Sequence, residues 1–272
     1  MKNKRSYKDK VVVITGAAGG MGTSFAKQFG QAGAVIGLLD LKPETVNSLS
    51  KDLSTMGIKS IPVQCDVTIE SDCQRAIQEV ITKYGRIDVL INNAGITHRS
   101  AFKETDSSVL RKVVDVSLFG SIYCTKAALD SIISNSGQII AISSIAGFAP
   151  LLGRSGYCAA KHALHGLFDS LRAELSGTGV SVLILAPGFT RTGISKAALD
   201  GDGQRTLHPQ STVGKISSPE EVAVKLFKAA GKNRKLLVLS PTGKLTRFLT
   251  RITPSLYTWI MKKSLKSELN RE

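Results

Sequence analysis

Tyr157 and Lys161 stand four residues apart in the run Tyr157-Cys158-Ala159-Ala160-Lys161. Four residues is about one helical turn, so both side chains leave one face of a helix. A lone phenol ionises near pH ~10 and is a poor acid or base at neutrality. An ammonium beside it stabilises the phenolate and draws that value down. Such a pair is suited to moving a proton at the working pH. The spacing alone is common in helices, and its meaning depends on the elements that place it.

Residues 10–15 read Lys-Val-Val-Val-Ile-Thr, a β-branched run that suits a parallel strand buried on both faces. It enters Gly16-Ala17-Ala18-Gly19-Gly20-Met21-Gly22 and then a helical stretch through Phe25, Ala26 and Phe29 to Gly33. Strand, glycine turn and helix form the context of a dinucleotide-phosphate site, which makes Gly16, Gly19, Gly20, Met21 and Gly22 candidate cofactor residues. Glycines allow the tight turn and let a pyrophosphate reach the helix N-terminus, where free N–H groups favour anions. An ordinary flexible turn is the plainer alternative. The next strand, residues 34–39, ends at Asp40. A carboxylate there accepts hydrogen bonds from ribose hydroxyls and repels a 2′-phosphate. No Arg or Lys stands at Ala17, Ala18 or Gly19 to offset that repulsion. NAD is therefore expected over NADP, with Lys42 as the contrary sign and a solvated loop acid as the alternative role for Asp40.

Together these features resemble the short-chain dehydrogenase/reductase family, over about residues 8–240. Thr15-Gly16, Gly20-Met21-Gly22, Asp66-Val67, Asn92-Asn93-Ala94-Gly95, Ser143-Ser144 and Pro187-Gly188 followed by Thr192 match family motifs in order and spacing, with Ser144 thirteen residues before Tyr157. The resemblance implies that Asp66, Val67, Asn93, Ala94, Gly95, Pro187, Gly188 and Thr192 contact the cofactor. It implies that Tyr157 gives or takes the hydroxyl proton. Lys161 would hold the nicotinamide ribose and depress the Tyr157 pKa. Ser144 would polarise the substrate oxygen, and the cofactor would carry the hydride. At one position the chain departs from the family: Ser117, in Val116-Ser117-Leu118-Phe119-Gly120, stands where an Asn bends the helix and presents a carbonyl to a proton relay. Ser117 keeps the carbonyl and can bond locally to backbone, with a shorter side chain, so a weaker or rearranged relay is expected. This departure is the feature favouring a protein that binds and senses NAD with little or no turnover; intact Ser144, Tyr157 and Lys161 favour the enzyme.

Patterns of strand and helix alternate along the chain. Strands are expected near 10–15, 34–39, 59–64, 87–91, 137–143, 180–186 and 235–239. Helices are expected near 20–33, 43–56, 70–85, 106–134, 155–177 and 219–231. The alternation predicts a Rossmann-type, doubly wound α/β parallel sheet of about seven strands with helices on both faces, one domain over 1–240 followed by a helical extension over 241–272. The resemblance implies homodimers or homotetramers through the helices near 106–134 and 155–177. Residues 145–156 must border the reacting centre, with Phe148, Leu151 and Leu152 as an apolar wall. That wall and the extension point to a fairly apolar alcohol or ketone, lipid- or steroid-like among others. Residues 189–215, rich in Gly and Asp, read either as a lid over substrate and cofactor or as a permanently ordered excursion.

With 272 residues and 42% hydrophobic content the chain suits one large α/β domain. No apolar run approaches the roughly 18 residues of a membrane span, and the basic start lacks an apolar signal core, so a cytoplasmic location is expected. Cys65, Cys73, Cys124 and Cys158 lack metal-ligand spacing and read as free thiols of a reducing compartment. His162 and His165, three apart, have no ligand partner nearby in sequence, and no metal is expected. The net charge is +15, and the two ends, residues 1–10 and 240–272, supply more than half of it. Without an aromatic-interleaved basic groove, nucleic acid is not an expected partner. In the extension, Leu245, Phe248, Leu249 and Ile252 repeat at i, i+3, i+4, i+7, Pro254 interrupts, and Leu256, Trp259, Ile260 and Met261 follow. These two amphipathic segments, residues 244–263, fit docking on the protein body, peripheral attachment to an anionic membrane, or a loose tail.

Overall fold

The structure, a computed structural model, describes residues 5–207, 210–212 and 214–265. The β-branched runs form the strands β1 (Val11–Thr15), β2 (Val35–Asp40), β3 (Ser60–Gln64), β4 (Val89–Asn92), β5 (Gln138–Ile142), β6 (Ser181–Ala186) and β7 (Leu236–Val238). They make one parallel seven-stranded sheet in the order β3-β2-β1-β4-β5-β6-β7. The order reverses between β1 and β4, and in such sheets a ligand crevice opens beyond the carboxyl ends of the strands at that point.

The helices between them are α1 (Gly20–Gln31), α2 (Pro43–Thr55), α3 (Glu70–Tyr84), α4 (Ser107–Val114), α5 (Gly120–Ser134), α6 (Ser155–Glu174), α7 (Pro219–Ala230), α8 (Pro241–Ile252) and α9 (Pro254–Leu265). Alternate residues of β1 serve the two faces. Val12 and Ile14 pack with Phe25 and Phe29 of α1, Leu49 and Leu53 of α2, and Leu226 of α7. Val11 and Val13 pack with Ile77 of α3, Cys124 and Ile132 of α5, and Phe168 of α6. The layered architecture and the strand positions agree with the pattern in the sequence.

One expected element is divided. The single helix anticipated over 106–134 is α4, a π-helical turn at Asp115–Phe119, and α5. The Gly120 N–H bonds Asp115 O, five residues back. Helical residues run unbroken through the turn, so periodicity alone gave no sign of it, and Ser117 stands at its centre. By length and apolarity the stretch Ser107–Ser134 could cross a membrane, but Val113, Cys124, Ala128 and Ile132 are fully enclosed between sheet and neighbouring helices. It is a core element.

After β7, α8 and α9 lie against the segment that follows β5. Leu249, Tyr257 and Met261 pack on Ile145, Phe148, Ala149, Leu151 and Leu152, and the Tyr257 hydroxyl donates to Pro150 O at 2.9 Å. Burial pushes the Tyr257 phenol up to about 12, so it remains a donor at neutral pH.

Candidate active site

Two connected hollows lie over the carboxyl ends of β1, β2, β4, β5 and β6. The floor of the first is the glycine turn. Gly16 sits at φ +61, and a Cβ there would lie 2.9 Å from Ala94 Cα, so only glycine suits both the backbone and the approach of β4. Gly19 caps α1 with no side chain, leaving the first-turn N–H groups of that helix open to an anion. Gly22 belongs to the same motif but faces inward: its Cβ would stand 2.3 Å from Gly16 O. It lets α1 pack against the turn and is not part of the cleft lining.

Asp40 closes the other side. Its Oδ2 accepts the Ala18 N–H at 2.9 Å and its Oδ1 the Leu41 N–H at 2.9 Å, which fixes a carboxylate at the tip of β2 beside the turn. Asn93 clamps the centre: its Nδ2 donates to Thr15 O at 3.0 Å and Gly16 O at 2.9 Å, and Thr15 Oγ1 accepts the backbone N–H groups of Asn93 and Ala94. Asp66 accepts from the Thr68 N–H and hydroxyl at 2.9 and 2.7 Å. The cleft is walled by Asp40, Lys42, Asp66, Val67, Ala94, Gly95 and Thr192, over the floor of Gly16, Gly19 and Gly20. Small residues keep it open. A Cβ on Gly20 would touch the Thr192 side chain at 3.4 Å, and one on Gly95 would meet Lys161 Nζ and Ser117 Oγ, each at 3.4 Å. A bare cradle at a helix N-terminus, with an acid at the end of β2 lining the same cleft, fits a dinucleotide.

Met21, Thr192 and Ile194 border both hollows. The second is lined by Ser144, Ile145, Leu151, Tyr157, Pro187, Gly188 and Phe189, and by two buried arginines, Arg99 and Arg154, 3% and 6% exposed. Ser144 follows β5 and Tyr157 lies in the first turn of α6, and both line this hollow. Lys161, one turn on, donates from Nζ to Ile142 O at 2.8 Å and lies 5.7 Å from the Tyr157 ring centroid. Ser117 is fully buried with Oγ 3.4 Å from both N and O of Ile96, and its carbonyl accepts from the Ser121 hydroxyl at 3.2 Å.

The electrostatics differ from the expectation in one respect. Burial raises the Tyr157 phenol above 10, against opposing effects of the Ser144 hydrogen bond and the Arg154 charge. The expected lowering by Lys161 is not the dominant effect. Lys161 is itself enclosed, and burial pushes its ammonium down to about 8, which weakens the charge it can offer the phenol.

Two further expectations change. Leu151 lines the second hollow, but Phe148 and Leu152 turn toward α9, with Phe148 edge-on to His165 at 6.1 Å. Ile145 and Phe189 stand in the wall instead. The segment 189–215, of which 208, 209 and 213 lie outside the described residues, is stitched down at its middle. Leu199 N–H bonds Thr97 O at 3.0 Å, Arg99 N–H bonds Leu199 O at 2.8 Å, and Asp106 N–H bonds Gly201 O at 2.9 Å. The stretch before Leu199 is tied as well, by Arg191 N–H to Ser217 O at 3.0 Å and Arg99 Nη2 to Ser195 O at 3.2 Å, so in this structure the segment has the form of an ordered excursion.

The sequence reading missed His98, Arg99 and Arg154. His98 is fully buried and accepts the Gly156 N–H on Nε2 at 3.0 Å, directly before Tyr157. Its Nδ1 lies 3.2 Å from Ser100 Oγ, which lies 2.7 Å from Thr105 Oγ1, itself a donor to Ala101 O. That chain places the ring proton on Nδ1. The available signal was position: His98 and Arg99 follow Asn93-Ala94-Gly95 at the mouth of a central strand, where a switch-point loop must face the ligand. Among the described residues no group of three or more His, Cys, Asp or Glu could hold a metal.

Comparison with known proteins agrees with the geometry. A family profile described as short chain dehydrogenase matches residues 10–202. The chain is 37% identical over 268 residues to Dehydrogenase/reductase SDR family member 7B of Xenopus tropicalis, covering 96% of this chain and 87% of that protein. It is 33% identical over 270 residues to a Dehydrogenase/reductase SDR family protein 7-like of Anopheles gambiae, covering 96% and 85%. Among solved structures, a short chain dehydrogenase/reductase from Burkholderia phymatum in complex with NAD superposes with a TM-score of 0.83 at 24% identity, over 93% of this chain and 96% of that one.

Proposed function

The chain belongs to the short-chain dehydrogenase/reductase family of oxidoreductases, and on that premise we propose that it reduces a ketone or aldehyde to an alcohol, or runs the reverse, with NAD(H). The observation that carries the reading is the meeting of Ser144 and Tyr157 in a pocket continuous with the glycine cleft through Met21 and Thr192. Asp40, held against the turn by the Ala18 N–H, favours NAD over NADP because a fixed carboxylate repels a 2′-phosphate. The NAD held by the Burkholderia phymatum protein supports the same choice. Gly16, Gly19, Gly20 and the first turn of α1 would hold the pyrophosphate. Asp66, Val67, Asn93, Ala94 and Gly95 would flank the adenine and ribose side, and Pro187, Gly188 and Thr192 the nicotinamide side. When bound, the cofactor supplies or accepts the hydride.

The chain's own residues handle the proton and the geometry. Ser144 Oγ donates to the substrate oxygen and holds it at Tyr157. Tyr157 Oη, kept protonated by its enclosure, delivers the proton to that oxygen as charge develops on it. Lys161 sits one turn behind to orient the ribose and to stabilise the phenolate left after transfer. Ser117, in the π turn, is buried with its carbonyl taken by the Ser121 hydroxyl, which accords with a rearranged proton relay at this position. A binding protein without turnover draws no support from this arrangement, since proton donor, polarising hydroxyl and ammonium converge.

Ile145, Leu151, Phe189 and Ile194 make the pocket apolar, while Arg99 and Arg154 set two positive charges in its wall; Arg99 Nη2 also donates to Ser195 O at 3.2 Å. A ketone with an apolar chain matches that apolar wall. The test is NADH oxidation, with NADPH in parallel, against ketones and aldehydes of graded chain length. Tyr157→Phe, run beside the wild type, keeps the ring and loses the donor. We expect its turnover to fall by about 10²-fold or more with NADH affinity nearly unchanged. Unaltered turnover in Tyr157→Phe would refute the assignment.

We place the subunit contact of a homo-oligomer along α4, the π turn and the start of α6, where Phe102 and Phe119 are 71% and 37% exposed beside Leu110 and Val114. Sedimentation of Phe119→Glu decides this: dissociation is expected, and unchanged assembly counts against that face. Free, buried thiols at Cys65, Cys73, Cys124 and Cys158 support a reducing, cytoplasmic setting.

A further inference from the structure

The helices α8 and α9 turn most of their large apolar side chains away from the body. On α8, Leu245, Phe248 and Ile252 are 56%, 60% and 64% exposed at i, i+3, i+7 spacing. On α9, Leu256 and Trp259 are 47% and 62% exposed. Among the described side chains, Leu249, Tyr257 and Met261 are the apolar ones that pack inward. The amphipathic pattern was visible in the sequence, but the stripe does not do what such a stripe ordinarily does: most of it is left in water. An apolar face of this kind is stable only when something covers it.

Charge indicates what covers it. Residues 241–265 carry Lys244, Arg247, Arg251, Lys262 and Lys263 and no Asp or Glu. A second copy pairing face to face would bring these cations against their own counterparts in an isologous contact, where like charges repel. An anionic lipid surface offers apolar depth and negative headgroups together. Lys263 Nζ lies 5.7 Å from the Trp259 ring, an indole with an ammonium above it, as befits side chains reaching from an apolar layer to headgroups. We propose that α8 and α9 form an in-plane anchor for an anionic bilayer, with Phe248, Ile252 and Trp259 entering the boundary between headgroups and acyl chains.

The inner side of the same helices packs on Ile145 and Leu151, which also line the substrate pocket. The anchor therefore brings the pocket wall close to the lipid surface. Lipid binding itself does not depend on the reaction assigned to the pocket, and it is read without turnover.

Trp259 is the only tryptophan in the chain, so its emission reports the face directly. The full-length protein is titrated with phosphatidylcholine vesicles with and without phosphatidylserine, and binding is followed by Trp259 emission and co-sedimentation. A blue shift and pelleting with the anionic vesicles, both weakening as salt rises, are expected. Phe248→Ser with Ile252→Ser lowers the partition coefficient by about tenfold or more. Lys244→Gln and Arg251→Gln each lower it roughly fivefold on anionic vesicles only. All four positions are exposed, so thermal melting and turnover on a water-soluble ketone remain unchanged as controls. Absence of both signals at low salt overturns the proposal. So does a blue shift that grows with protein concentration without vesicles and tracks dimer formation, which would assign the face to a second copy.

Discussion

The enclosure of Tyr157 gives the two reaction directions different pH dependences. Reduction needs the phenol protonated and oxidation needs it ionised; a phenol raised above 10 is in the first state throughout the neutral range. Alcohol oxidation should therefore climb steadily with pH. Reduction is governed at its upper end by Lys161, whose ammonium burial pushes down to about 8. As pH rises through that value the free enzyme loses the charge that stabilises the developing phenolate. The kcat/KM for a ketone is expected to be level at neutral pH and to fall above about 8, since this ratio reports the free enzyme. Lys161→Arg is always charged in this range; it should lower the plateau and remove the fall. A fall that persists unchanged in Lys161→Arg would show that another group sets it.

At the scale of elements, the loop after β4 and the start of α6 are joined through His98, which accepts the Gly156 N–H and donates toward Ser100. Burial first, and the nearby Arg154 charge second, push the imidazole down to about 4 from its ordinary 6.5. Between those values the unfolded chain binds a proton that the folded protein excludes, so stability falls as pH drops through this window, and below it the imidazole costs nothing further. His98→Leu should cost about 1–3 kcal/mol at neutral pH, because the Gly156 N–H is left buried without its acceptor, and should flatten part of the acid-side decline. His165, pushed to about 4 mainly by burial, retains the rest. Denaturant midpoints across pH 4 to 7 for both proteins, roughly the window of that shift, check this; parallel curves would remove His98 from the linkage. This element pair also marks the limit of what the sequence discloses. The glycine turn was legible because a positive φ at Gly16 and the contact at Gly22 admit one residue type. Tyr157 and Lys161 were legible because helical spacing is local. His98 and Gly156 are 58 residues apart, and their pairing exists only once the loop after β4 meets the start of α6. The π turn was hidden for the opposite reason: its apolar pattern reads as helix whether the bond runs four or five back.

At the scale of the whole molecule, the extension is fastened to the pocket from behind, and its removal should be felt in substrate binding before it is felt in the fold. The sheet and its helices contain the large apolar clusters, whereas α8 and α9 contribute Leu249, Tyr257 and Met261 to a small separate one. Each such side chain stabilises by about 1.5–3 kcal/mol when fully buried. Ordering the backbone of the two helices costs roughly 1–2 kcal/mol per residue, a charge that their own hydrogen bonds and packing must offset. The net stabilisation of the remaining fold by the extension is therefore small. Deleting residues 244–272 should leave a folded protein whose thermal midpoint falls by only a few degrees, about what a loss near 1 kcal/mol produces in a domain of this size. The local effect is larger. Pro150 O loses the Tyr257 hydroxyl, and Ile145 and Leu151 lose the layer behind them. A pocket wall without backing packs less tightly on an apolar substrate, so KM for a long-chain ketone is expected to rise several-fold more than KM for a short one. The kcat should change little, because Ser144, Tyr157 and Lys161 are held by β5 and α6. Steady-state kinetics with the two ketones, on full-length and truncated protein, separate the possibilities. Equal changes in both KM values would mean that the extension does not shape the pocket, and a lost kcat would mean that it reaches the reacting groups themselves.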